Sequence, residues 1–166
     1  MKVKESTLNV CLICMGVLGL LVLLLPWYEL SSHSYLSGYG SSNMSAGNQI
    51  GLFAANVSYF GYGLYILPAA AIGMGLGLIA KQFPLRSKAG CLLLIGALEA
   101  LCLVLVNLEM VNMGTSASGY GYSVSAGFST LIGYWIAMGG YAVTAVVGLV
   151  LFPMTPKPDP SEFNFK

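Results

Sequence analysis

The sequence predicts an all-α membrane protein: a bundle of four transmembrane helices built from a tandem helical-hairpin repeat, with a small extracytoplasmic antiparallel β cap. Three observations predict this fold class. The composition is typical of a membrane protein, four apolar segments are long enough to cross a bilayer, and part of the first half of the chain recurs in the second half.

The composition identifies the bilayer as the solvent of this chain. Apolar residues make up 57% of the 166 residues and charged residues only 8%, whereas a soluble domain carries about 25% charged residues. The mean hydropathy is +0.79. We therefore expect an integral membrane protein whose first partner is the lipid bilayer, with no nucleic-acid partner.

Four segments can each span a hydrocarbon core of about 30 Å, which takes around 20 helical residues. They run from Val10 to Tyr28, Gly61 to Ala80, Ala89 to Leu108 and Leu131 to Leu151. A cleaved signal peptide is an alternative interpretation of the first, because two lysines precede it. No small-residue cleavage pattern follows Leu25, so we interpret this segment as a retained helix.

The cations predict the topology. All seven Lys and Arg residues lie before the first segment, between the second and third, or after the fourth: Lys2, Lys4, Lys81, Arg86, Lys88, Lys157 and Lys166. The positive-inside rule then places both termini in the cytoplasm of a plasma or bacterial inner membrane. We expect hairpins at 1–80 and 89–152, a cytoplasmic loop at 81–88, and a cytoplasmic tail at 153–166 that either docks a partner or stays disordered.

The repeat pairs residues 11–62 with residues 91–134. Six residues of the first segment recur eighty positions later: Cys11, Leu12, Gly16, Leu18, Leu21 and Leu23 match Cys91, Leu92, Gly96, Leu98, Leu101 and Leu103. The register continues to Glu29 and Glu109, and Ser37-Gly38-Tyr39-Gly40 returns as Ser118-Gly119-Tyr120-Gly121. Both hairpins enter the membrane in the same direction, so both outer loops meet on one face.

The outer loops contain β-forming residues bounded by Gly and Ser clusters. Leu30 to Leu36, Asn48 to Phe60 and Tyr120 to Phe128 fit this description. We expect each loop to form an antiparallel hairpin turning near its Gly-Tyr-Gly, and the two hairpins to pair into one sheet. Five aromatic residues are the candidates for assembly contacts on this side: Trp27, Tyr39, Phe53, Tyr120 and Trp135.

Small residues recur every fourth position in the second and fourth segments. The two sets are Ala69, Gly73 and Gly77, and Gly140, Thr144 and Gly148. Such faces let helix backbones approach closely in lipid. They predict packing inside the bundle or, alternatively, an oligomer contact. Pro68 predicts a kink in the second helix.

Glu99 is the one ionisable residue deep inside a predicted membrane helix. A charge there costs at least about 2.5–3.5 kcal/mol, so a function is the default hypothesis. Burial favours the uncharged acid, which could donate a hydrogen bond to Tyr141 or Thr144. Two interpretations stay open: a neutral, hydrogen-bonded Glu99 that joins the third and fourth helices, or a proton or ion site. Its partner in the repeat is Gly19.

Catalytic and metal-binding patterns are missing from the sequence. His33 is the only histidine, and Cys11, Cys14, Cys91 and Cys102 all lie in predicted membrane helices. Gly-Tyr-Gly resembles the filter of potassium channels, but the Thr-Val that precedes it in that family is missing. We expect no enzyme activity, no cofactor and no metal, and tight turns at the Gly-Tyr-Gly motifs.

One family resemblance follows from these features. Four helices, cytoplasmic termini, a longer first outer loop, Pro26-Trp27 and Gly51-Leu52-Phe53 resemble the claudin and peripheral-myelin group, whose first loop carries Trp and then Gly-Leu-Trp. The resemblance implies an outer sheet used for lateral and cell-to-cell assembly. This chain has no outer-loop cysteines, and Phe53 replaces the Trp. The same outline is similar to small uncharacterised bacterial four-helix membrane proteins.

Two functions are consistent with this sequence. The first is a non-enzymatic structural or accessory protein that forms a homo-oligomer or joins a larger membrane complex through its outer loops and small-residue helix faces. The second is a small ion or proton channel or transporter component that uses Glu99.

Overall fold

The computed structural model describes residues 4–36, 40–44, 49–50, 58–79, 83–113, 115–119 and 122–156. Within these ranges the chain forms α-helices and one small antiparallel sheet. The helices are α1 (Glu5–Leu21), which continues into a 3₁₀ turn at Val22–Leu24, α2 (Gly61–Gly75), α3 (Leu85–Asn112) and α4 (Ile132–Met154).

Three of these helical segments are long and apolar enough to cross a membrane: Glu5–Leu24, Leu85–Asn112 and Ile132–Met154. The remaining helix, α2, is equally apolar but has only 15 residues. The longest, α3, has 28 residues and therefore extends about 42 Å at 1.5 Å per residue. This length exceeds the thickness of a bilayer core, about 30 Å, and α3 extends to β5 of the sheet.

The helix ends differ from the predicted spans for local reasons. The first helix begins at Glu5, not Val10, and stops at Leu24 because Leu25 takes an extended backbone (φ −75°, ψ 151°) ahead of Pro26. The second was expected to reach Ala80 but ends at Gly75. Gly77 adopts φ 71° there, and Leu78 N donates to Gly73 O at 2.8 Å. This is a Schellman ending, which requires a left-handed residue that glycine supplies readily.

The second hairpin has longer helices than expected. Helix α3 begins at Leu85 and ends at Asn112, so it takes up part of the predicted 81–88 loop. Helix α4 continues through Pro153 to Met154. Glu29 and Glu109, which the repeat aligns, are therefore not equivalent, because Glu29 lies in a strand and Glu109 in a helix.

The sheet joins the two loops. Its strands are β1 (Tyr28–Leu36), β2 (Gly40–Met44), β3 (Gln49–Ile50), β4 (Thr115–Gly119) and β5 (Tyr122–Thr130). Strand β1 is central, with β2 and β3 on one side and β5 on the other, and β4 lies beyond β5. The register of β1 and β5 extends over nine residue pairs, from Tyr28–Thr130 to Leu36–Tyr122.

The expected sheet of two paired hairpins is confirmed, with corrections. The described pairing of β1 with β2 ends at Leu36–Gly40, and that of β4 with β5 ends at Gly119–Tyr122. The predicted turns at Tyr39 and Tyr120 lie outside the described residues, as does Phe53. Over the predicted strand at 48–60, only Gln49–Ile50 is a described strand, and 58–60 is a turn. Gly61-Tyr62-Gly63 was expected to be a tight turn but begins α2.

Each helix packs mainly against its neighbour in the chain, α1 against α2 and α3 against α4. Buried side chains form two apolar clusters at different depths. The cluster next to the sheet includes Leu23, Trp27, Tyr28, Leu64, Leu103, Val106, Met110, Tyr134, Ala137 and Tyr141. The cluster at the other end of the helices includes Leu8, Leu12, Ala71, Met74, Ala89, Leu92 and Ile95. Glu99 lies on α3 between them.

Candidate functional site

Glu99 occupies the centre of the bundle. Its side chain is 1% exposed, and Oε1 lies 3.3 Å from the position that a Cβ on Gly19 of α1 would take. The second oxygen, Oε2, is buried without a hydrogen-bond partner among the described residues. The carboxyl group therefore faces the first hairpin, where a glycine leaves room for it.

The sequence predicted that the Glu99 carboxyl group donates a hydrogen bond to Tyr141 or Thr144. For Oε2 this prediction is wrong, because this oxygen makes no hydrogen bond with any described residue. Both hydroxyls are buried at a similar depth but donate to backbone carbonyls. Tyr141 Oη donates to Gly19 O at 3.4 Å, and Thr144 Oγ1 donates to Gly140 O at 3.1 Å. Tyr141 thus links α4 to α1, and Thr144 stays within its own helix.

All four helices contribute to the surroundings of the carboxyl group. Tyr141 of α4 and Cys102 of α3 lie near the carboxyl group, Tyr65 of α2 lies near Tyr141, and α1 contributes Gly19. We call these five residues the Glu99 layer: Gly19, Tyr65, Glu99, Cys102 and Tyr141. This layer lies between the two apolar clusters; Glu99 and Tyr141 are buried in it, and Tyr65 and Cys102 are half-buried.

Glycine contacts bring α1 close to α2. A Cβ on Gly16 would lie 2.6 Å from Pro68 O and 3.1 Å from Ile72 N. A Cβ on Gly75 would lie 2.7 Å from Asn9 O and 3.1 Å from Ile13 N. Real Cβ atoms do not approach backbone atoms so closely, so both positions require glycine at this helix separation.

The contact between α3 and α4 has the same form. A Cβ on Gly96 would meet the backbone of Ala145, and a Cβ on Gly148 would meet the backbone of Leu93. In each helix pair, a glycine of the first helix faces the second helix, and a glycine of the second helix faces the first. Gly148 is thus a packing residue, as the sequence predicted.

The other small residues expected at helix contacts do not all serve that role. Ala69 is exposed, and Gly77 lies past the end of α2 with no atom within 4 Å of its built Cβ. Gly73 is buried under the side chain of Ile79, in the turn that follows its own helix. Gly140 has only an ordinary contact, 3.9 Å from Val22 Cγ1. The sequence pattern missed Gly75, because α2 ends one turn earlier than expected.

At the end of the bundle next to the sheet, Trp27 is fully buried, with 0% of its side chain exposed. Its indole Nε1 donates to Val22 O at 3.0 Å, and its carbonyl accepts a hydrogen bond from Leu131 N at 2.7 Å. Trp27 therefore fixes the start of α4 against the end of α1. The prediction that it makes assembly contacts is wrong, because a fully buried ring presents no surface to a partner.

Tyr28 continues this core. Its hydroxyl donates to Asn107 Oδ1 on α3 at 3.2 Å. Burial, and to a smaller extent the neighbouring Tyr134, raises the pKa of Tyr28 above its usual value, so the phenol keeps its proton. Asn107 thus holds the base of the sheet on α3. Trp135, in contrast, is 62% exposed and stands edge-on to Tyr134.

The opposite end contains two interactions that sequence reasoning missed. Lys88 Nζ, on a side chain that is only 2% exposed, pairs with Glu5 Oε1 at 3.0 Å. The Arg86 guanidinium lies 4.6 Å from the ring centre of Phe152. The first pair joins α1 to α3 across 83 positions of sequence, and the second joins α3 to α4. The four cysteines are free.

Neither a search for metal sites nor a comparison with known proteins assigns a role to these residues. Over the described residues, no group of three or more His, Cys, Asp or Glu side chains could hold a metal ion. No protein-family model and no curated protein matches the chain.

Proposed function

We propose that this chain is a non-enzymatic integral membrane protein whose four helices cross the bilayer and whose outer sheet and outward helix faces support assembly. In this topology both termini are cytoplasmic, as the positions of the cations indicate. The membrane is the plasma membrane or a bacterial inner membrane. Lys88, Glu5 and Arg86 then lie on the cytoplasmic side, and the sheet lies outside.

The proposed crossing by α2 draws support from the residues around it. The helix itself covers about 22 Å, less than a core of about 30 Å. Exposed apolar side chains extend this length at both ends: Tyr59 before the helix, and Leu76, Leu78 and Ile79 after it. A short helix extended by apolar turns matches a bilayer through local thinning or anchoring residues.

We also propose that the two hairpins are tandem repeats, and the glycine contacts support this. Ile13 and Gly16 lie 80 residues before Leu93 and Gly96, while Ile72 and Gly75 lie 73 residues before Ala145 and Gly148. The equivalent residues make equivalent contacts in the two hairpins. With the same offset of 80, Gly19 corresponds to Glu99, and these two residues face each other across the hairpin interface.

The pairing of β1 with β5 is the observation that carries the assembly proposal. It joins the loops of both hairpins into one platform over nine residue pairs, and the platform rests on the buried Trp27 and Tyr28. A continuous outer sheet above four helices is the architecture that the claudin-like resemblance implies, and that group uses it for lateral contacts. Because a fused sheet is already ordered, it binds a partner with little loss of conformational entropy.

The outward face of α4 is the proposed helix contact. Trp135, Val143 and Val146 are all more than half exposed, and Gly139, between them, has no atom within 4 Å of its built Cβ. A glycine with no close neighbour in its own chain permits the close approach of another helix. We expect a homo-oligomer that packs around Gly139.

Extraction of the protein in native lipid nanodiscs, followed by mass measurement, tests the proposal. We expect a discrete oligomer. In a background with the four native cysteines replaced by alanine, Gly139→Cys should form disulfide-linked dimers in the membrane. Leu18→Cys, which is also exposed but lies on α1, serves as the matched control and should not. A monomer in nanodiscs with no partner attached would contradict the assembly function.

The second candidate function is proton or ion transport through Glu99, and the unpartnered Oε2 is the observation in its favour. The residues on either side of Glu99 along α3 argue against transport. Leu103 and Val106 follow it and Leu92 and Ile95 precede it, and all four are buried and apolar. Proton flux in liposomes decides between the two. Flux in the wild type that is lost in Glu99→Gln supports transport, and equal flux in both proteins contradicts it.

A further inference from the structure

We propose that Glu99 is a proton-binding site between the two hairpins, occupied at neutral pH, whose loss of the proton loosens the hairpin interface. The site consists of the Glu99 carboxyl group against Gly19, with Tyr141 beside it and Tyr65 next to Tyr141. The ligand is the proton itself, and the site goes beyond the assembly function, which does not require it.

The charges around the carboxyl group favour the protonated acid. The titratable groups beside it are Tyr141 of α4 and Cys102 of its own helix, and Tyr65 of α2 lies next to Tyr141; none of the three carries a positive charge. Helix α1 contributes Gly19, which has no titratable side chain. The buried cation Lys88 is eleven residues earlier on α3, about 16 Å away along the helix, and is already paired with Glu5.

The hydrogen bonds around Glu99 also favour the protonated acid. Tyr141 uses its single proton on Gly19 O, and Oε2 has no donor among the described residues. An ionised carboxylate with one buried oxygen that lacks a donor pays a desolvation cost of several kcal/mol, whereas the neutral acid loses about one hydrogen bond at that oxygen. The protonated group is therefore the one that fits this packing.

The position of Glu99 indicates how loss of its proton affects the packing of the two hairpins. Within each hairpin the helices touch backbone to backbone at Gly16 and Gly75, or at Gly96 and Gly148. Glu99 instead contacts Gly19 across the two hairpins. A carboxylate at this point needs water, and water enters most easily where the contact is made by a side chain. We infer that the two hairpins separate at the level of Glu99, while each helix pair and the β1–β5 pairing stay intact.

Infrared spectroscopy of the full-length protein in lipid vesicles tests the protonation directly. A protonated carboxylic acid has a carbonyl stretch well separated from the carboxylate bands. A water-exposed Glu, with a pKa of about 4.3, is protonated in about one molecule in 500 at pH 7. We expect the acid band in most molecules at pH 7, its loss at alkaline pH, its absence in Glu99→Gln and its retention in Glu109→Gln. Glu99→Asp, which keeps an ionisable group, should keep a shifted band.

The pH dependence of hairpin packing provides the second measurement. The packed state binds a proton that the loosened, hydrated state releases, so the ratio of packed to loosened molecules should fall as pH rises, by up to about tenfold per pH unit. Glu99→Gln should remove this dependence. A missing acid band at pH 7, a pH profile unchanged in Glu99→Gln, or loss of the band on addition of Na⁺ at constant pH would each overturn the proposal.

Discussion

Replacement of Gly96 by alanine tests the close packing of α3 against α4. A Cβ built on Gly96 meets the amide nitrogen of Ala145 and lies 2.9 Å from both the Ala145 Cα and the Thr144 carbonyl carbon. All three are backbone atoms, which cannot rotate away as a side chain can. The added methyl group must therefore push the two helices apart along their contact.

The magnitude follows from two opposing effects. Overpacking of a tight core costs about 1–3 kcal/mol, and three backbone contacts place Gly96→Ala in the upper part of that range. Replacing glycine by alanine inside a helix stabilises the helix by about 0.5–1 kcal/mol. We expect a net loss of about 2 kcal/mol in the free energy of unfolding, roughly a 30-fold change in the folded-to-unfolded ratio.

Gly139→Ala is the matched control on the partner helix when unfolding is measured on the monomer in dilute mixed micelles, where the proposed oligomer contact at Gly139 is not formed. A Cβ on Gly139 has no atom within 4 Å, so only the gain in helix propensity remains, and stability should stay constant or rise by up to about 1 kcal/mol. Reversible unfolding in mixed micelles, followed by circular dichroism, measures both variants. A Gly96→Ala protein as stable as the wild type, or an equal loss in Gly139→Ala, would refute the reasoning.

Three further predictions concern the two ends of the bundle. Brominated lipids should quench Trp135, which is 62% exposed, and leave Trp27, which is 0% exposed, nearly unquenched; equal quenching of the single-tryptophan variants Trp27→Phe and Trp135→Phe would be inconsistent with the buried Trp27. Tyr28→Phe removes the hydrogen bond to Asn107 and should lower the unfolding free energy by about 1 kcal/mol, with no such loss in an Asn107→Leu background; a full loss there would exclude this pairing. Glu5→Gln leaves the buried Lys88 ammonium without its carboxylate and should cost about 1–2 kcal/mol, less than a fully buried pair because Glu5 is 60% exposed; the cost should vanish in Lys88→Met, and its persistence there would contradict the ion pair.

The sequence predicted the membrane class, the approximate helix positions and the pairing of the outer loops, because each depends on composition or local pattern. Long apolar runs locate helices, and β-forming residues between Gly and Ser clusters locate strands. The prediction that both loops share one sheet followed from the parallel direction of the hairpins. The β1–β5 register, from Tyr28–Thr130 to Leu36–Tyr122, agrees with it.

The helix ends and contacts could not be predicted in the same way. Hydropathy does not detect a left-handed residue, so the end of α2 before Gly77 was missed, and Gly77 was predicted as a packing residue in place of Gly75. The pairing of Glu5 with Lys88 depends on how two distant helices are placed. Tryptophan is common at membrane interfaces, and the burial of Trp27 depends on tertiary packing that the sequence pattern does not show.

Labelling of single cysteines from the two sides of the membrane tests the central claim, that four helices cross the bilayer. Tyr59, before α2, is 88% exposed and Phe83, after it, is 48% exposed, so cysteines at both positions can be labelled in a cysteine-free background. A membrane-impermeant maleimide should label Tyr59→Cys only from outside and Phe83→Cys only from the cytoplasm. Labelling of both positions from the same side would show that α2 does not cross, and the four-helix topology would be wrong.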